Sequence, residues 1–234
     1  SSDVCSSDLS FRDTLLTMSY MGTDAIVMRH SAEGAPLYAT KAVDPIIINA
    51  GDGAHEHPTQ ALLDMYSILE KKESIEGLKI VILGDIMHSR VARSNIYGLT
   101  KMGAKVHLAG PRTMVYPELE KLGVTVHHDI REAVADADVV NVLRIQLERI
   151  HSALYPTNRE YARIFGINND VLKLAKDDVM VMHPGPMNRG LEIAPDVAYS
   201  DQSVIQEQVR NGVAVRMAVL YLTIIGGDGS ELAY

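Results

Sequence analysis

Short apolar runs alternate along this chain with longer segments of helical periodicity. The apolar runs predict buried strands at 24–28, 46–49, 79–83, 105–109, 124–127, 139–143 and 178–182. The segments between them predict helices at 11–21, 35–43, 58–72, 89–102, 116–122 and 204–225. In the helix predicted at 58–72, one apolar face is formed by Leu62, Met65, Tyr66 and Leu69. Near-continuous apolar strands alternating with helices are typical of a parallel sheet covered on both faces, so we predict an α/β fold.

A run of charged residues at 70–76 (EKKESIE) divides this alternation into two parts. We therefore expect two doubly wound parallel-sheet units, with the last long helix returning to the first of them. The first unit would comprise residues 10–70 and 203–225, and the second would comprise residues 71–202. Residues 1–9 contain Ser-Ser-Asp twice and have no periodicity, so we interpret them as a non-native leader.

Composition narrows the class of protein. The 234 residues have a net charge of −8, and the absence of Trp leaves little material for base stacking, so we expect no nucleic-acid partner. The single cysteine, Cys5, excludes an internal disulfide and favours a reducing, cytoplasmic setting. The most apolar late stretch, 213–225, is interrupted by Arg216 and is too short for a membrane span; no secretory signal is visible.

Polar side chains follow most of the predicted strands, at the ends where open α/β sheets bind their ligands. Arginine follows three of them, and the other strand ends supply imidazole, amide and Gly/Pro backbone; these residues are Arg29, His57, Gln60, Arg90, Arg144, Gln146, Pro184 and Gly185. A guanidinium group donates hydrogen bonds in pairs to carboxylate or phosphate. The set predicts a pocket for small, multiply anionic molecules, although a single arginine in such a position is more often a surface cation.

Other chemistries have weaker support in the sequence. No strand is followed by G-x-G-x-x-G or by a P-loop pattern, and no G-x-S-x-G nucleophile motif is present. His55-Glu56-His57 could chelate a metal, but an H-x-H pair in a loop lacks the further ligands of a closed site. We therefore expect no metal centre and interpret the chain as an enzyme of direct group transfer, with charge held by Arg and His.

Five segments resemble the aspartate carbamoyltransferase family in order and at compatible spacing. They are MRHSAEGAP (28–36), NAGDGAHEHPTQALLDMYSI (49–68), GDIMHSRVARS (84–94), LRIQLER (143–149) and MHPGPMNRG (182–190). HPTQ alone is weakly specific because ornithine carbamoyltransferases carry similar strings, whereas NAGDG, R-x-Q-x-E-R and HPGPMNRG together are specific for the aspartate enzyme. The resemblance implies carbamoyl transfer from carbamoyl phosphate to L-aspartate in pyrimidine synthesis. It also implies no cofactor, and a homotrimer with shared active sites that could associate with a regulatory chain or a dihydroorotase.

The resemblance also implies roles on the carbamoyl phosphate side of the site. Arg29 and His57 would hydrogen-bond the carbamoyl oxygen, where negative charge grows as the amine attacks. Gln60 would bind the carbamoyl amino group together with the backbone carbonyls of Pro184 and Gly185.

On the aspartate side, the resemblance implies that Arg90 and Arg144 bind the two carboxylates, with Gln146 assisting at the second. Glu148 would pair with Arg144 and orient its guanidinium group. An alternative interpretation makes Glu148 a solvated helix residue.

The chain also departs from the family pattern. Family members begin with about 75 further residues, roughly half of a typical domain. That part carries a Ser-Thr-Arg-Thr-type phosphate loop, which has no counterpart here. We therefore expect an N-terminally truncated chain with an incomplete first unit and impaired activity. An ornithine-type carbamoyltransferase and a non-catalytic assembly subunit remain alternatives.

Overall fold

The computed structural model describes residues 10–146, 155 and 157–226. The strands in these ranges are β1 (Ala25–His30), β2 (Ile46–Asp52), β3 (Lys79–Leu83), β4 (Lys105–Ala109), β5 (Thr125–His127), β6 (Val139–Val142) and β7 (Met180–Met182). The helices are α1 (Phe11–Tyr20), α2 (Ala35–Ala42), α3 (Pro58–Lys72), α4 (Arg90–Lys101), α5 (Ile130–Val134), α6 (Asn158–Phe165), α7 (Asn169–Leu172), α8 (Pro195–Ala198) and α9 (Ile205–Ile224), with a 3₁₀ helix at Pro117–Leu122. Among them, no helix has the length and apolar character needed to cross a membrane.

The strands form two parallel sheets. Strands β1 and β2 pair with Ala25 opposite Ile46, and the other five form a sheet of order β5-β4-β3-β6-β7. After β3 the chain adds β4 and β5 on one side, then crosses to add β6 and β7 on the other. A reversal of this kind opens a crevice beyond the carboxyl ends of β3 and β6, where α/β proteins bind ligands. The predicted α/β fold with parallel sheets is confirmed.

Both faces of the five-stranded sheet are buried, which explains why its central strand is apolar at every position after Lys79. Ile80 and Ile82 of β3 pack with Leu99 of α4 on one face. Val81, between them, points to the other face and packs with Val134 of α5. All three β3 residues are fully buried, so each contributes the free energy of removing a large aliphatic side chain from water.

Helix α9 packs along α3 and joins the end of the described chain to the first sheet. Arg210 donates from Nη2 to both carboxylate oxygens of Glu70, at 2.9 Å each. Asn211 donates from Nδ2 to Ser67 Oγ at 3.0 Å in the buried part of the same interface. This contact agrees with the predicted return of the last helix; the predicted domain bounds stay a proposal.

Two differences from the predicted elements have physical causes. Helices α5 to α8 are eight residues or shorter, so their sequences complete too few turns to show a helical period. In α3, the apolar face expected from the periodicity is largely exposed, with Leu62 at 43% and Tyr66 at 45%. The opposite face, which carries Gln60 and Asp64, is the one buried against α4 and α9.

Candidate active site

A cleft of about 290 Å³ collects residues that lie at or beyond the carboxyl ends of β1, β2, β3, β6 and β7. Its lining consists of Arg29, His57, Gln60, Ser89, Arg90, Val91, Arg144, Gln146, Pro184, Gly185, Pro186 and Arg216. Eight of these residues were predicted from the strand ends, and the structure brings all eight together. The ninth predicted residue, Glu148, lies outside the described residues.

The loop after β2 is organised by a buried carboxylate. Asp52, 1% exposed, accepts hydrogen bonds from the backbone N–H groups of Gly34 at 2.8 Å and Glu56 at 3.0 Å. It also accepts from Asn49 Nδ2 at 3.0 Å. Burial alone would raise the pKa of Asp52, but these hydrogen bonds outweigh it, and the pKa is lowered. The ionised side chain thereby holds the loop that leads to His57.

His57 precedes the first turn of α3 and is held in a neutral state. Its backbone N–H donates to Ser94 Oγ at 2.9 Å. Burial, followed by the positive charges of Arg90, Arg29 and Arg216, lowers its pKa to about 4. Nδ1 is buried and has no hydrogen-bond partner among the described residues, which leaves Nε2 to act on a ligand. A neutral imidazole has one N–H donor and one acceptor nitrogen, so it can hydrogen-bond a ligand without carrying charge.

Arg90 is fixed against the β2 loop at the start of α4. Its side chain is buried, and Nη1 donates to the backbone oxygen of Gly53 at 3.1 Å. Gly51 makes this contact possible, since a Cβ there would lie 2.8 Å from Arg90 Nε. Ser89 caps the helix by accepting a hydrogen bond from the N–H of Ala92 at 3.2 Å. The glycines of the NAGDG motif therefore serve to seat a cation beside the cleft.

Arg144 and Gln146 leave β6 at the reversal in strand order. Ile145 between them is fully buried, and its carbonyl accepts from Asn188 Nδ2 at 2.8 Å. Gln146 Oε1 is buried without a hydrogen-bond partner in the described part of the chain. Because alternate residues of an extended segment point to opposite sides, burial of Ile145 puts both polar side chains on the cleft side.

The loop after β7 is held by a buried histidine. His183 Nδ1 accepts from the N–H of Gly185 at 2.9 Å, and His183 Nε2 lies 3.2 Å from Glu192 Oε1. Since Nδ1 accepts, the ring proton is on Nε2 and is donated to the carboxylate. The backbone then turns at Gly185, where φ is +62°. This turn carries Pro184 and Gly185 along the cleft wall.

Arg216 was not predicted as a site residue, although it is the only charged residue in the apolar stretch 213–225. It reaches the cleft from α9, beside Gly212, where a Cβ would collide with the Arg216 guanidinium group. Together with Arg29, Arg90 and Arg144, it gives the cleft lining four guanidinium groups. Four cations around a neutral imidazole define a site for a ligand with several negative charges.

Comparison of the sequence with models of known protein families identifies the family of this chain. The family model "Aspartate/ornithine carbamoyltransferase, Asp/Orn binding domain" matches residues 76–223, and the corresponding carbamoyl-P binding domain matches residues 2–70. The chain therefore belongs to the aspartate/ornithine carbamoyltransferase family.

Two similar curated relatives within that family are of the aspartate type. The aspartate carbamoyltransferase catalytic subunit of Desulforamulus reducens is 59% identical over 96% of this chain and 72% of the relative. That of Heliobacterium modesticaldum is 61% identical over 94% of this chain and 70% of the relative.

The similar solved structures include both types. Aspartate transcarbamoylase from Trypanosoma cruzi in complex with phosphate has a TM-score of 0.80 and 31% identity, covering 92% of this chain and 72% of its own. Ornithine carbamoyltransferase from Pyrococcus furiosus has a TM-score of 0.81 and 31% identity, covering 94% of this chain and 72% of its own. Backbone similarity and sequence identity are thus nearly the same for these two structures, so the fold alone does not distinguish the aspartate type from the ornithine type.

Proposed function

We propose that this chain transfers the carbamoyl group of carbamoyl phosphate to the amine of L-aspartate. The amine nitrogen forms a bond to the carbamoyl carbon, the bond from that carbon to the phosphate oxygen breaks, and phosphate leaves. Among the described residues that line the cleft, no side chain is an evident general base, so the departing phosphate takes the proton released by the amine. The products are N-carbamoyl-L-aspartate and phosphate.

The carbamoyl group would be held and polarised by the β1 and β2 side of the cleft. Arg29 and the neutral His57 donate to the carbonyl oxygen, which becomes more negative as the amine attacks. In comparable oxyanion sites, each such donor lowers the activation barrier by about 3 kcal/mol. Gln60 and the backbone carbonyls of Pro184 and Gly185 accept from the carbamoyl amino group.

Aspartate would be held by the β3 and β6 side. Arg90 and Arg144 each bind one carboxylate, and Gln146 assists at the second. Two guanidinium groups on a dicarboxylate fix the direction of its amine, and this orientation supplies much of the rate. Ornithine lacks the second carboxylate and carries a second amine, so Arg144 would repel it.

One observation carries this proposal: cationic side chains from separate strand ends meet around a neutral His57 in a single cleft. The identity of about 60% to aspartate carbamoyltransferase catalytic subunits supports the same acceptor.

Acceptor profiling of the purified chain tests the proposal. We expect carbamoylation of aspartate and not of ornithine, and calorimetric binding of succinate as an unreactive dicarboxylate. Arg144→Gln should weaken succinate binding at least about tenfold, because it removes a charge-assisted hydrogen bond. The same substitution should leave phosphonoacetamide binding unchanged. Arg189→Gln is the matched control, because Arg189 is exposed in the β7 loop and does not line the cleft.

Each other outcome has a distinct meaning. Preference for ornithine would assign the chain to the second family type. Binding of both ligands without product would favour a non-catalytic assembly subunit. Failure to bind succinate or phosphonoacetamide would contradict the proposed site altogether.

We further propose that the chain works as a homotrimer with active sites shared between subunits. The exposed apolar stripe of α3, formed by Leu62, Tyr66 and Leu69, supports an interface between copies. Sedimentation of the chain at three times its monomer mass is expected, and a monomer at micromolar concentration would contradict it. A cytoplasmic location, and association with a regulatory chain or a dihydroorotase, stay predictions.

A further inference from the structure

Asp64 is a fully buried carboxylate one helical turn after Gln60, and it has no place in the reaction described above. Its Oδ1 accepts from Gln60 Nε2 at 3.0 Å and from Gln208 Nε2 at 2.8 Å. Its Oδ2 accepts from Asn95 Nδ2 at 2.8 Å. Side chains from α3, α4 and α9 therefore meet on one carboxylate beneath the cleft.

The surrounding amides all turn their NH₂ groups towards Asp64. The amide of Asn141 in β6 also acts to lower the pKa of the same carboxylate. The Oδ1 atoms of Asn95 and Asn141 are buried without a partner among the described residues, as expected where the NH₂ end is the end in use. Burial raises the pKa of Asp64, while the amide donors stabilise its ionised form. A carboxylate accepts only, so it dictates which end of each amide faces it.

The first consequence concerns Gln60 in the cleft wall. Because Nε2 of Gln60 is committed to Asp64, Oε1 is the atom left for a ligand. Gln60 therefore acts as a hydrogen-bond acceptor and cannot rotate its amide without placing oxygen against a carboxylate.

The second consequence concerns the loop after β7. Gln208 also gives its Nε2 to Asp64, so its Oε1 faces His183 and accepts the backbone N–H at 2.9 Å. His183 in turn accepts from the N–H of Gly185 at 2.9 Å. A chain of hydrogen bonds thus runs from Asp64 to the backbone whose carbonyls form the opposite cleft wall.

We propose that Asp64 is a positioning residue that selects donors carrying a primary amide, by presenting Gln60 Oε1 and the Pro184–Gly185 backbone as acceptors. The inference rests on the proposed carbamoyl phosphate site and specifies how that site recognises the NH₂ group. A site built to accept from an NH₂ group rejects an analogue that lacks it, because its buried acceptors are left without donors.

Two probes of the same shape test this role. Phosphonoacetamide carries the NH₂ group, and 2-oxopropylphosphonate replaces it with a methyl group. Titration calorimetry on the full chain should show that wild type binds the amide at least about tenfold more tightly than the ketone. Asp64→Asn, which can turn an NH₂ group towards its neighbours and release Gln60, should bring the two affinities within about threefold. We expect this change because the variant binds phosphonoacetamide more weakly than wild type does, while its affinity for 2-oxopropylphosphonate stays nearly the same.

Ser67→Ala provides the matched control. Ser67 is buried on the same helix and bonds across the same interface to Asn211, but no hydrogen bond of the described residues links it to the cleft. It should lower the melting temperature and leave the amide-to-ketone ratio at the wild-type value. If Asp64→Asn does not fold, Gln208→Met tests the second branch alone, with an expected fall in the ratio of at least about threefold.

The outcomes separate this inference from the proposed function. Equal affinity of wild type for the two probes overturns amide selection and leaves the anion site intact. An unchanged ratio in a folded Asp64→Asn or Gln208→Met variant overturns the role of Asp64. If wild type binds neither probe, the carbamoyl phosphate site itself is refuted, and the inference falls with it.

Discussion

Replacing Gly51 with alanine should weaken dicarboxylate binding by displacing Arg90. Gly51 has φ of +117°, and an added Cβ would lie 2.8 Å from Arg90 Nε and 2.9 Å from Cζ. Arg90 is 5% exposed and bonded to Gly53, so its guanidinium group cannot move aside without losing that contact. Loss of one charge-assisted hydrogen bond costs about 1.5–3 kcal/mol, which corresponds to roughly ten- to hundredfold weaker succinate binding.

The backbone makes a separate contribution to stability. A non-glycine residue in this region of φ costs on the order of 1–3 kcal/mol of unfolding free energy. Gly77→Ala is the matched control, because Gly77 has φ of +77° and nothing within 4 Å of the added Cβ. Both variants should unfold at lower urea concentration, and only Gly51→Ala should lose affinity in calorimetry. Wild-type succinate affinity in Gly51→Ala would refute the placement of Arg90 at a carboxylate.

Three further predictions concern the pH dependence of stability, a buried carboxylate and an exposed ion pair. The pKa of His57 is about 4, against 6.5 in the unfolded chain, so the unfolding free energy should fall as the pH drops from 6.5 to 4. His57→Gln should lose less stability over that window in urea titrations, and parallel curves would contradict the reasoning. Glu192→Ala leaves the buried Nε2–H of His183 without its acceptor, so its unfolding free energy should fall by about 1–3 kcal/mol. Arg210→Ala breaks an exposed ion pair with Glu70 and should lower the unfolding free energy by less than about 1 kcal/mol. A larger loss in Arg210→Ala than in Glu192→Ala would contradict the argument that burial decides the size of the effect.

Strands buried on both faces were the elements most readily predicted. The bounds of β3 and β4 agree with the predicted 79–83 and 105–109. Most residues of these two strands are apolar and buried, and all of them pair within the sheet. β7 was predicted at 178–182 and begins only at Met180. The short helices had too few residues to show a period, as in Pro195–Ala198.

Much of the candidate site also followed from the sequence, because parallel strands bring their carboxyl ends to one edge. Arg29 and His57 lie at the carboxyl ends of the paired strands β1 and β2, so adjacency in that sheet implied their adjacency in the cleft. Arg144 follows β6 of the other sheet, and the tertiary structure brings it to the same cleft. Arg216 and Asp64 gave no such signal. Both lie on helices: the packing of α9 on α3 brings Arg216 to the cleft, and the same packing gives Asp64 its partner Gln208.

The sequence by itself determined the strand pattern, the parallel α/β architecture and the cationic strand ends, since these depend on local periodicity and on neighbours along the chain. Tertiary structure decided which face of α3 is buried and which end of the Gln60 amide meets a ligand. The apolar stripe of α3 would be expected inside, yet the buried face carries Asp64, whose amide partners come from helices and strands distant in sequence. A buried carboxylate is stable only where such partners converge, and that convergence exists only in the folded chain.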